Sequence, residues 1–183
     1  DVCSSDLTSL LNLINLAKGQ RSEYYAAIAV SMSKSFSNFI FGALDPAGTV
    51  TLDKIPGSYW IPALFVKIFG FSTWAVTAPN AIAGVIAVLL VATTIKNLFG
   101  KTAGLLAGAL VAATPIVAAV VRSNQPQTFF LLSLALTMWA ASKALTENST
   151  KWLIITGAFV ALDRKSTRLN SSHEWISRMP SSA

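Results

Sequence analysis

The chain has 183 residues, of which 53% are hydrophobic and 12% are charged, and its formal net charge is +6. This charged share is about half that of a typical soluble domain, which excludes a disordered chain. A single Cys excludes a disulfide-stapled module, and Lys and Arg are not clustered as a nucleic-acid partner would require. The apolar residues form long blocks, and such blocks predict a membrane protein.

The two ends of the chain, residues 1–7 and 163–183, are interpreted as foreign to the protein. Residues 1–7 can be encoded by GACGTGTGCTCTTCCGATCT, and the reverse complement of this string encodes the run from Asp163 to Leu169 in a shifted frame. There is no physical reason for the two ends of one protein to be encoded by opposite strands of the same short DNA sequence. Both ends resemble translated sequencing adapter. We exclude both ends from the fold prediction. The remaining residues, 8–162, contain neither Cys nor His, which excludes thiol nucleophiles, Cys/His zinc sites and Ser-His-Asp triads within them.

Long uncharged runs predict an all-α, multi-pass transmembrane helix bundle. The predicted spans cover about 74–95, 102–121, 127–145 and 152–162, the last of them truncated, and residues 8–20 are the end of an earlier helix. Pro115 predicts a kink in the second of these spans. Gly104 and Gly108 form a small-xxx-small face that allows a neighbouring helix to approach closely.

Residues 21–73 are predicted to form an external loop with two interfacial helices. In the first, Tyr24, Ile28, Met32 and Phe36 recur every four residues behind Ser22. The second, 58–69, is about 18 Å long as a helix and too short to cross. If it does not cross, the short lysine-bearing loops at 96–101 and 143–151 face the cytoplasm, as short basic loops prefer.

This external loop contains three of the four acids in residues 8–162, namely Glu23, Asp45 and Asp53. Together with Lys54, they could hold a divalent cation and a lipid-linked phosphate, and one carboxylate could act as a general base. Each residue also has a simpler interpretation. Glu23 would complement a helix dipole, Asp45 would set a turn, and Arg122 would be a helix-end residue that reaches toward water. The aromatic residues Tyr59 and Trp60 would be interfacial anchors.

A series of short motifs resembles bacterial membrane glycosyltransferases of the GT-C superfold, in the dolichyl-phosphate-mannose-protein mannosyltransferase-like group related to the aminoarabinose transferase of lipid A. The motifs are Ser22-Glu23-Tyr24-Tyr25, Asn38-Phe39-Ile40-Phe41-Gly42, Asp45-Pro46-Ala47-Gly48, Asp53-Lys54-Ile55-Pro56, Trp60 and Arg122-Ser123-Asn124-Gln125-Pro126. Two departures are Ile55, where the group usually has Pro, and Gln127, where it usually has Asp.

The resemblance implies a polyprenyl-phosphate sugar donor and transfer to an acceptor outside the plasma membrane. It implies that Lys54 contacts the phosphate and that Asp53 is the acid before it. Glu23 would be the upstream acid, and either Glu23 or Asp45 would be the catalytic base. Asp53 and Glu23 are the candidate ligands of a divalent metal ion. The further substrate-binding candidates are Arg122, Asn124, Tyr59 and Trp60.

These observations predict a membrane glycosyltransferase that acts on a polyprenyl-phosphate-linked sugar and an extracytoplasmic acceptor (protein, lipid or cell-wall glycan), with no nucleic-acid partner. The segment itself is expected to be inactive alone, because its first and last helices are incomplete. Two alternatives remain open. The first is a transporter or flippase, which would carry ionisable residues in mid-membrane. The second is a non-catalytic membrane subunit that has kept the same scaffold.

Overall fold

The structure is a computed structural model that describes residues 22–50 and 56–161. Every regular element in these two ranges is an α-helix, which confirms the all-α prediction. The predictions for residues 1–7, 8–20 and 163–183 lie outside the described residues. In chain order the helices are α1 (Glu23–Lys34), α2 (Phe36–Phe41), α3 (Gly57–Phe69), α4 (Thr73–Phe99), α5 (Lys101–Ala113), α6 (Pro115–Val121), α7 (Gln127–Glu147) and α8 (Thr150–Ala161).

Two helices in the described part of the chain are long and apolar enough to cross a membrane. α4 has 27 residues and α7 has 21, which correspond to about 40 Å and about 31 Å of helix. α5 and α6 provide a third span if the bent pair is counted as one. The spans predicted at 74–95 and 127–145 therefore lie within α4 and α7, and the span predicted at 102–121 corresponds to α5 and α6.

The bend between α5 and α6 occurs at Thr114, immediately before Pro115. The two helices differ in direction by 66°. Proline lacks an N–H and disfavours the helical conformation in the residue before it, and Thr114 accordingly has a ψ of 117°. The Thr114 hydroxyl donates to the carbonyl oxygen of Leu110 at 2.7 Å, so this carbonyl keeps a partner at the break. The kink predicted from Pro115 is present.

α4 and α5 form a tight antiparallel hairpin that turns at Gly100. Gly100 has a φ of 93°, a conformation that other residues rarely adopt. A Cβ atom built on Gly104 would lie 2.7 Å from the carbonyl oxygen of Ala92 and 2.8 Å from the Cα of Lys96. A Cβ atom on Gly108 would lie 2.9 Å from the Cβ of Ala92. The close helix approach predicted from the two glycines is confirmed, and α4 is the helix that approaches.

α1 and α3 pack side by side, and α3 is shorter than the helices that could span a membrane. Ile28 and Met32 of α1 are buried against Tyr59 and Ala63 of α3. The rings of Tyr25 and Tyr59 stack with their centroids 5.8 Å apart. α3 has 13 residues, or about 20 Å of helix, which is shorter than the hydrocarbon core. This length agrees with the prediction that the segment is an interfacial helix.

The predicted apolar stripe of the first interfacial helix is only partly correct. α1 ends at Lys34 because Ser35 is extended, with φ of −139° and ψ of 141°. Phe36 therefore starts a separate helix, and 79% of its side chain surface is exposed. Ile28 and Met32 face α3 instead of the membrane interface, because burial against Tyr59 and Ala63 is available to them.

Candidate functional site

The loop from Arg122 to Pro126 is fixed to α4 by a buried amide, that of Asn80. The Nδ2 of Asn80 donates to the carbonyl oxygens of Ser123 at 2.8 Å and Gln125 at 2.7 Å. An amide nitrogen has two hydrogens, so one side chain satisfies both carbonyls. Asn80 is only 1% exposed. The conformation of the loop therefore depends on a residue two turns inside the first long span.

The same loop is joined to the beginning of α1 by Asn124. The backbone N–H of Ser22 donates to the Oδ1 of Asn124 at 2.8 Å, and the Nδ2 of Asn124 donates to the carbonyl oxygen of Ser22 at 2.9 Å. Ser22 is the N-cap of α1, although its side chain makes no capping hydrogen bond. Both polar atoms of the Asn124 side chain are thus used within the protein, and they link positions that are 102 residues apart.

These two sets of hydrogen bonds bring together two groups of residues that the sequence placed far apart. Glu23 directly follows Ser22 and is exposed, and Arg122 precedes Asn124 by two residues and is half-buried. The start of α1, the first turns of α4 and the end of α6 therefore meet at one end of the bundle. We name this region the Asn124 junction. The turn between α4 and α5, at Gly100, lies at the other end of the bundle, about 30 Å of helix away from Asn80 along α4.

Asp45 is bound into its own turn. Its Oδ2 accepts a hydrogen bond from the hydroxyl of Thr49 and its Oδ1 accepts one from the backbone N–H of Val50, each at 2.9 Å. These bonds stabilise the ionised carboxylate, and the backbone N–H of Val50 is the largest cause of a lowered Asp45 pKa. Asn38 closes the turn from the other side, since its Nδ2 donates to the carbonyl oxygen of Pro46 at 3.1 Å. The geometry favours the interpretation of Asp45 as a residue that sets its turn.

We expect the turn at Asp45 to loosen only in strong acid. The folded pKa of Asp45 lies below its ordinary value of 3.8. The carboxylate therefore contributes stability above that value and loses its contribution as the pH falls through the folded pKa. The amide proton resonance of Val50, followed by NMR during an acid titration, should show a midpoint below 3.8. The Asp45→Asn variant should show no such transition, and a wild-type midpoint at or above the ordinary value would contradict the assignment.

The two aromatic candidates of α3 lie in different environments. Tyr59 is 2% exposed, and its ring is part of the packing between α1 and α3. Trp60 is 41% exposed, stacks on Phe39 with centroids 5.9 Å apart, and donates from its Nε1 to the carbonyl oxygen of Phe39 at 2.9 Å. Tyr59 therefore has a ring buried in the core, and Trp60 is the one of the two that reaches the surface.

Two central predicted residues, Asp53 and Lys54, lie outside the described residues. Among the residues that the structure does describe, no group of three or more His, Cys, Asp or Glu side chains could hold a metal ion. Glu23, the other predicted ligand, is described, but no second described carboxylate joins it in such a group. The described part of the chain therefore does not form the predicted divalent cation site by itself.

The sequence profile of one protein family matches residues 53–166, and its description is dolichyl-phosphate-mannose-protein mannosyltransferase. The match covers more than half of the chain and includes the Asp53-Lys54 motif, α3 and the Arg122–Pro126 loop. The chain belongs to this family. The match confirms the resemblance seen in the sequence motifs.

Two curated relatives come from Bacillus subtilis (strain 168), and each is named "Putative mannosyltransferase". YkcB is 39% identical over 148 residues, which is 80% of this chain and 21% of the relative. YycA is 38% identical over 140 residues, which is 76% of this chain and 20% of the relative. The chain thus spans about a fifth of the length of the curated relatives it matches. No solved structure gives a significant match.

The sequence analysis did not identify Asn80 as a residue that holds the candidate site together. It lies in an uncharged run and belongs to none of the motifs on which the resemblance rests. A signal was nevertheless present, because a polar amide beside Pro79 within a predicted span must find hydrogen-bond partners inside the protein. Those partners are two carbonyl groups more than 40 positions later in the chain, and periodicity gives no means of identifying them.

Proposed function

We propose that this chain forms the first external loop and the adjoining spans of a glycosyltransferase in the plasma membrane. The donor is a sugar linked to a polyprenyl phosphate, and the acceptor is a hydroxyl or phosphate group on the extracytoplasmic side. Membership of the mannosyltransferase family supports the activity. The single structural observation that supports the site is the Asn124 junction, which brings Glu23 and Arg122 to the same end of the bundle.

The proposed reaction is an inverting transfer. The acceptor oxygen forms a new bond to the anomeric carbon while the bond between that carbon and the phosphate oxygen breaks. A carboxylate takes the acceptor's proton, and the polyprenyl phosphate departs with the electron pair of the broken bond. A cationic side chain near the departing phosphate stabilises the charge that develops there.

The geometry of the described residues favours Glu23 over Asp45 as the base. Both carboxylate oxygens of Asp45 accept hydrogen bonds within their own turn. Glu23 belongs to the Asn124 junction, where Arg122 also lies. In the proposal, Lys54 and Arg122 bind the phosphate, and Asp53 is the acid before Lys54. A divalent cation, where one takes part, would be held by Asp53 and Glu23 and would neutralise charge on the phosphate.

The orientation of the site follows from the lysine-bearing loops. Lys96 and Lys101 flank the turn between α4 and α5, and Lys143 and Lys151 flank the turn between α7 and α8. Short loops with Lys favour the cytoplasm. The Asn124 junction is at the opposite end of α4, so the proposal places it outside.

A transporter is less well supported. In the described spans, the ionisable side chains lie near helix ends, as with Lys96 in the last turn of α4 and Lys101 at the first residue of α5. Transport sites use ionisable or unwound positions near the middle of the bilayer. The arrangement therefore fits chemistry at the membrane surface better than passage through the membrane.

The function is tested with the longest open reading frame that contains residues 8–162. Purified protein should transfer radiolabelled sugar from a polyprenyl-phosphate donor, and Lys54→Ala should weaken donor binding about tenfold, since one charge-assisted hydrogen bond to phosphate is lost. Binding is measured by thermophoresis in detergent.

Lys101→Ala is the matched control, because it removes the same charge at the other end of the bundle and should leave donor affinity unchanged. Full donor affinity in Lys54→Ala would contradict the phosphate assignment. Absence of sugar transfer in the wild-type protein, with donor binding retained, would favour the non-catalytic subunit.

A further inference from the structure

An apolar groove lies between the C-terminal ends of α1 and α3, with α2 along one side. Its volume is about 270 Å³. The residues that line it are mainly hydrophobic, and two lysines are among them. The apolar members are Met32, Phe36, Phe39, Ala63 and Leu64, and the lysines are Lys34 and Lys67. We name this feature the lysine groove.

The two lysines come together because α1 and α3 run in the same direction. Tyr25 stacks on Tyr59 near the beginning of both helices, and Met32 packs with Ala63 further along. Lys34 and Lys67 therefore occupy the last turns of adjacent helices. A lysine in a last turn complements the helix dipole, and this accounts for each charge separately. The helix dipole does not explain why two exposed lysines line the same apolar groove.

Neither lysine is neutralised by a carboxylate in the described ranges 22–50 and 56–161. The ion pair found there joins Lys143 and Glu147, 2.7 Å apart at the end of α7. The surface around the groove is strongly apolar, since Phe36, Ile68 and Phe69 are 79%, 71% and 58% exposed. A protein surface with this composition faces acyl chains, and its cations lie at the level of the lipid headgroups.

We propose that the lysine groove binds an anionic glycerophospholipid of the surrounding bilayer. One acyl chain occupies the apolar walls formed by α1, α2 and α3. The phosphodiester lies between the ammonium groups of Lys34 and Lys67. The charges are complementary, because two cations without an anionic partner among the described residues face a headgroup that carries a net negative charge.

The position of the groove distinguishes this lipid from the sugar donor. Glu23 and Lys34 are the first and last residues of α1, so about 16 Å of helix separates them. The phosphate of a sugar donor must be adjacent to the carbon that reacts, within contact distance of the base. This step rests on the proposed role of Glu23 as the base: a phosphate held in the lysine groove is too far from Glu23 to react, so the bound lipid is not the sugar donor.

The test uses the protein encoded by the longest open reading frame that contains residues 8–162, in phosphatidylcholine nanodiscs with roughly ten mole per cent of a photoactivatable phosphatidylglycerol. After illumination, chymotryptic peptides are mapped by mass spectrometry. We expect label on peptides from α2 and α3. Lys34→Gln should reduce it about fivefold, and Lys34→Gln with Lys67→Gln about twenty-five-fold, because each lysine near an anionic headgroup contributes independently.

Two variants provide the controls. Lys34→Arg with Lys67→Arg keeps both charges and should retain the label, whereas Lys101→Gln with Lys151→Gln removes two charges elsewhere and should leave it unchanged. Circular dichroism should show the same helix content in all variants. Equal labelling by photoactivatable phosphatidylcholine, or unchanged labelling in the double glutamine variant, would overturn the proposal. Displacement by polyprenyl monophosphate at a lower concentration than by phosphatidylglycerol would also overturn it and would assign the groove to the carrier lipid.

Discussion

Replacement of Asn80 by Ala should lower the free energy of unfolding by about 2 kcal/mol, about one for each hydrogen bond lost. The change leaves the carbonyl oxygens of Ser123 and Gln125 without their buried donor. The Arg122–Pro126 loop would then lose its attachment to α4. The measurement is an SDS titration of the purified protein in mixed micelles, followed by circular dichroism.

Asn97→Ala is the matched control for this experiment. Asn97 belongs to the same helix and is exposed, so its replacement should change the free energy of unfolding by no more than about 0.5 kcal/mol. Asn80→Asp should not restore stability at neutral pH, because an ionised carboxylate cannot donate to two carbonyl oxygens. Equal stability of Asn80→Ala and Asn97→Ala would show that the loop does not depend on this amide.

Gly104→Ala should destabilise the protein although alanine favours helices. The added methyl group would lie 2.5 Å from the Cβ of Lys96 and 2.7 Å from the carbonyl oxygen of Ala92. The carbonyl oxygen of Ala92 is a backbone atom that cannot move aside as a side chain could, so α4 and α5 must separate. We expect the free energy of unfolding to fall by about 2 kcal/mol. The same SDS titration measures it.

Gly157→Ala provides a control with the opposite expected sign. Gly157 lies inside α8, and a Cβ atom there would meet no atom within 4 Å. Its replacement should therefore be neutral or should stabilise α8 by about 0.5–1 kcal/mol through the higher helix propensity of Ala. A stabilising effect of both substitutions would mean that the tight contact between α4 and α5 is absent in solution.

Much of the fold follows from local properties of the sequence. Helix spans in lipid are encoded by long uncharged runs, because every backbone polar group must be satisfied within the helix. The runs around Trp74 and Thr128 therefore located α4 and α7 directly. The break at Pro115 and the close contact at Gly104 were also predictable, since each depends on the stereochemistry of one residue type.

The boundaries and partners of the interfacial helices were harder to predict. The periodic spacing of Ile28, Met32 and Phe36 predicted one amphipathic helix, but an extended residue at Ser35 divides it. An apolar helix face that contacts lipid and one that contacts another helix have the same spacing of apolar residues. The spacing alone therefore could not distinguish the two. The burial of Tyr59 against Ile28 and Met32 decided between them, and such a contact cannot be inferred from one segment alone.

The sequence predicted the residues of the candidate site as separate motifs, but it did not predict how they are arranged in space. Glu23 and Arg122 were both named from the sequence, but nothing in their spacing indicated that Ser22 and Asn124 would join them. Asp45 was named as a candidate base, and its two hydrogen bonds within the turn became evident only from the folded backbone. The roles of Asp53 and Lys54 remain predictions from the family motif.

The link between Ser22 and Asn124 also has a consequence for biosynthesis. The two residues are 102 positions apart, so the ribosome must complete α4, α5 and α6 before Asn124 exists to form the contact. α1 is therefore translated well before its hydrogen-bond partner, and it lacks this contact while the next three helices are synthesised. Once Asn124 is translated, its two hydrogen bonds to the backbone of Ser22 join the earlier segment to the later one.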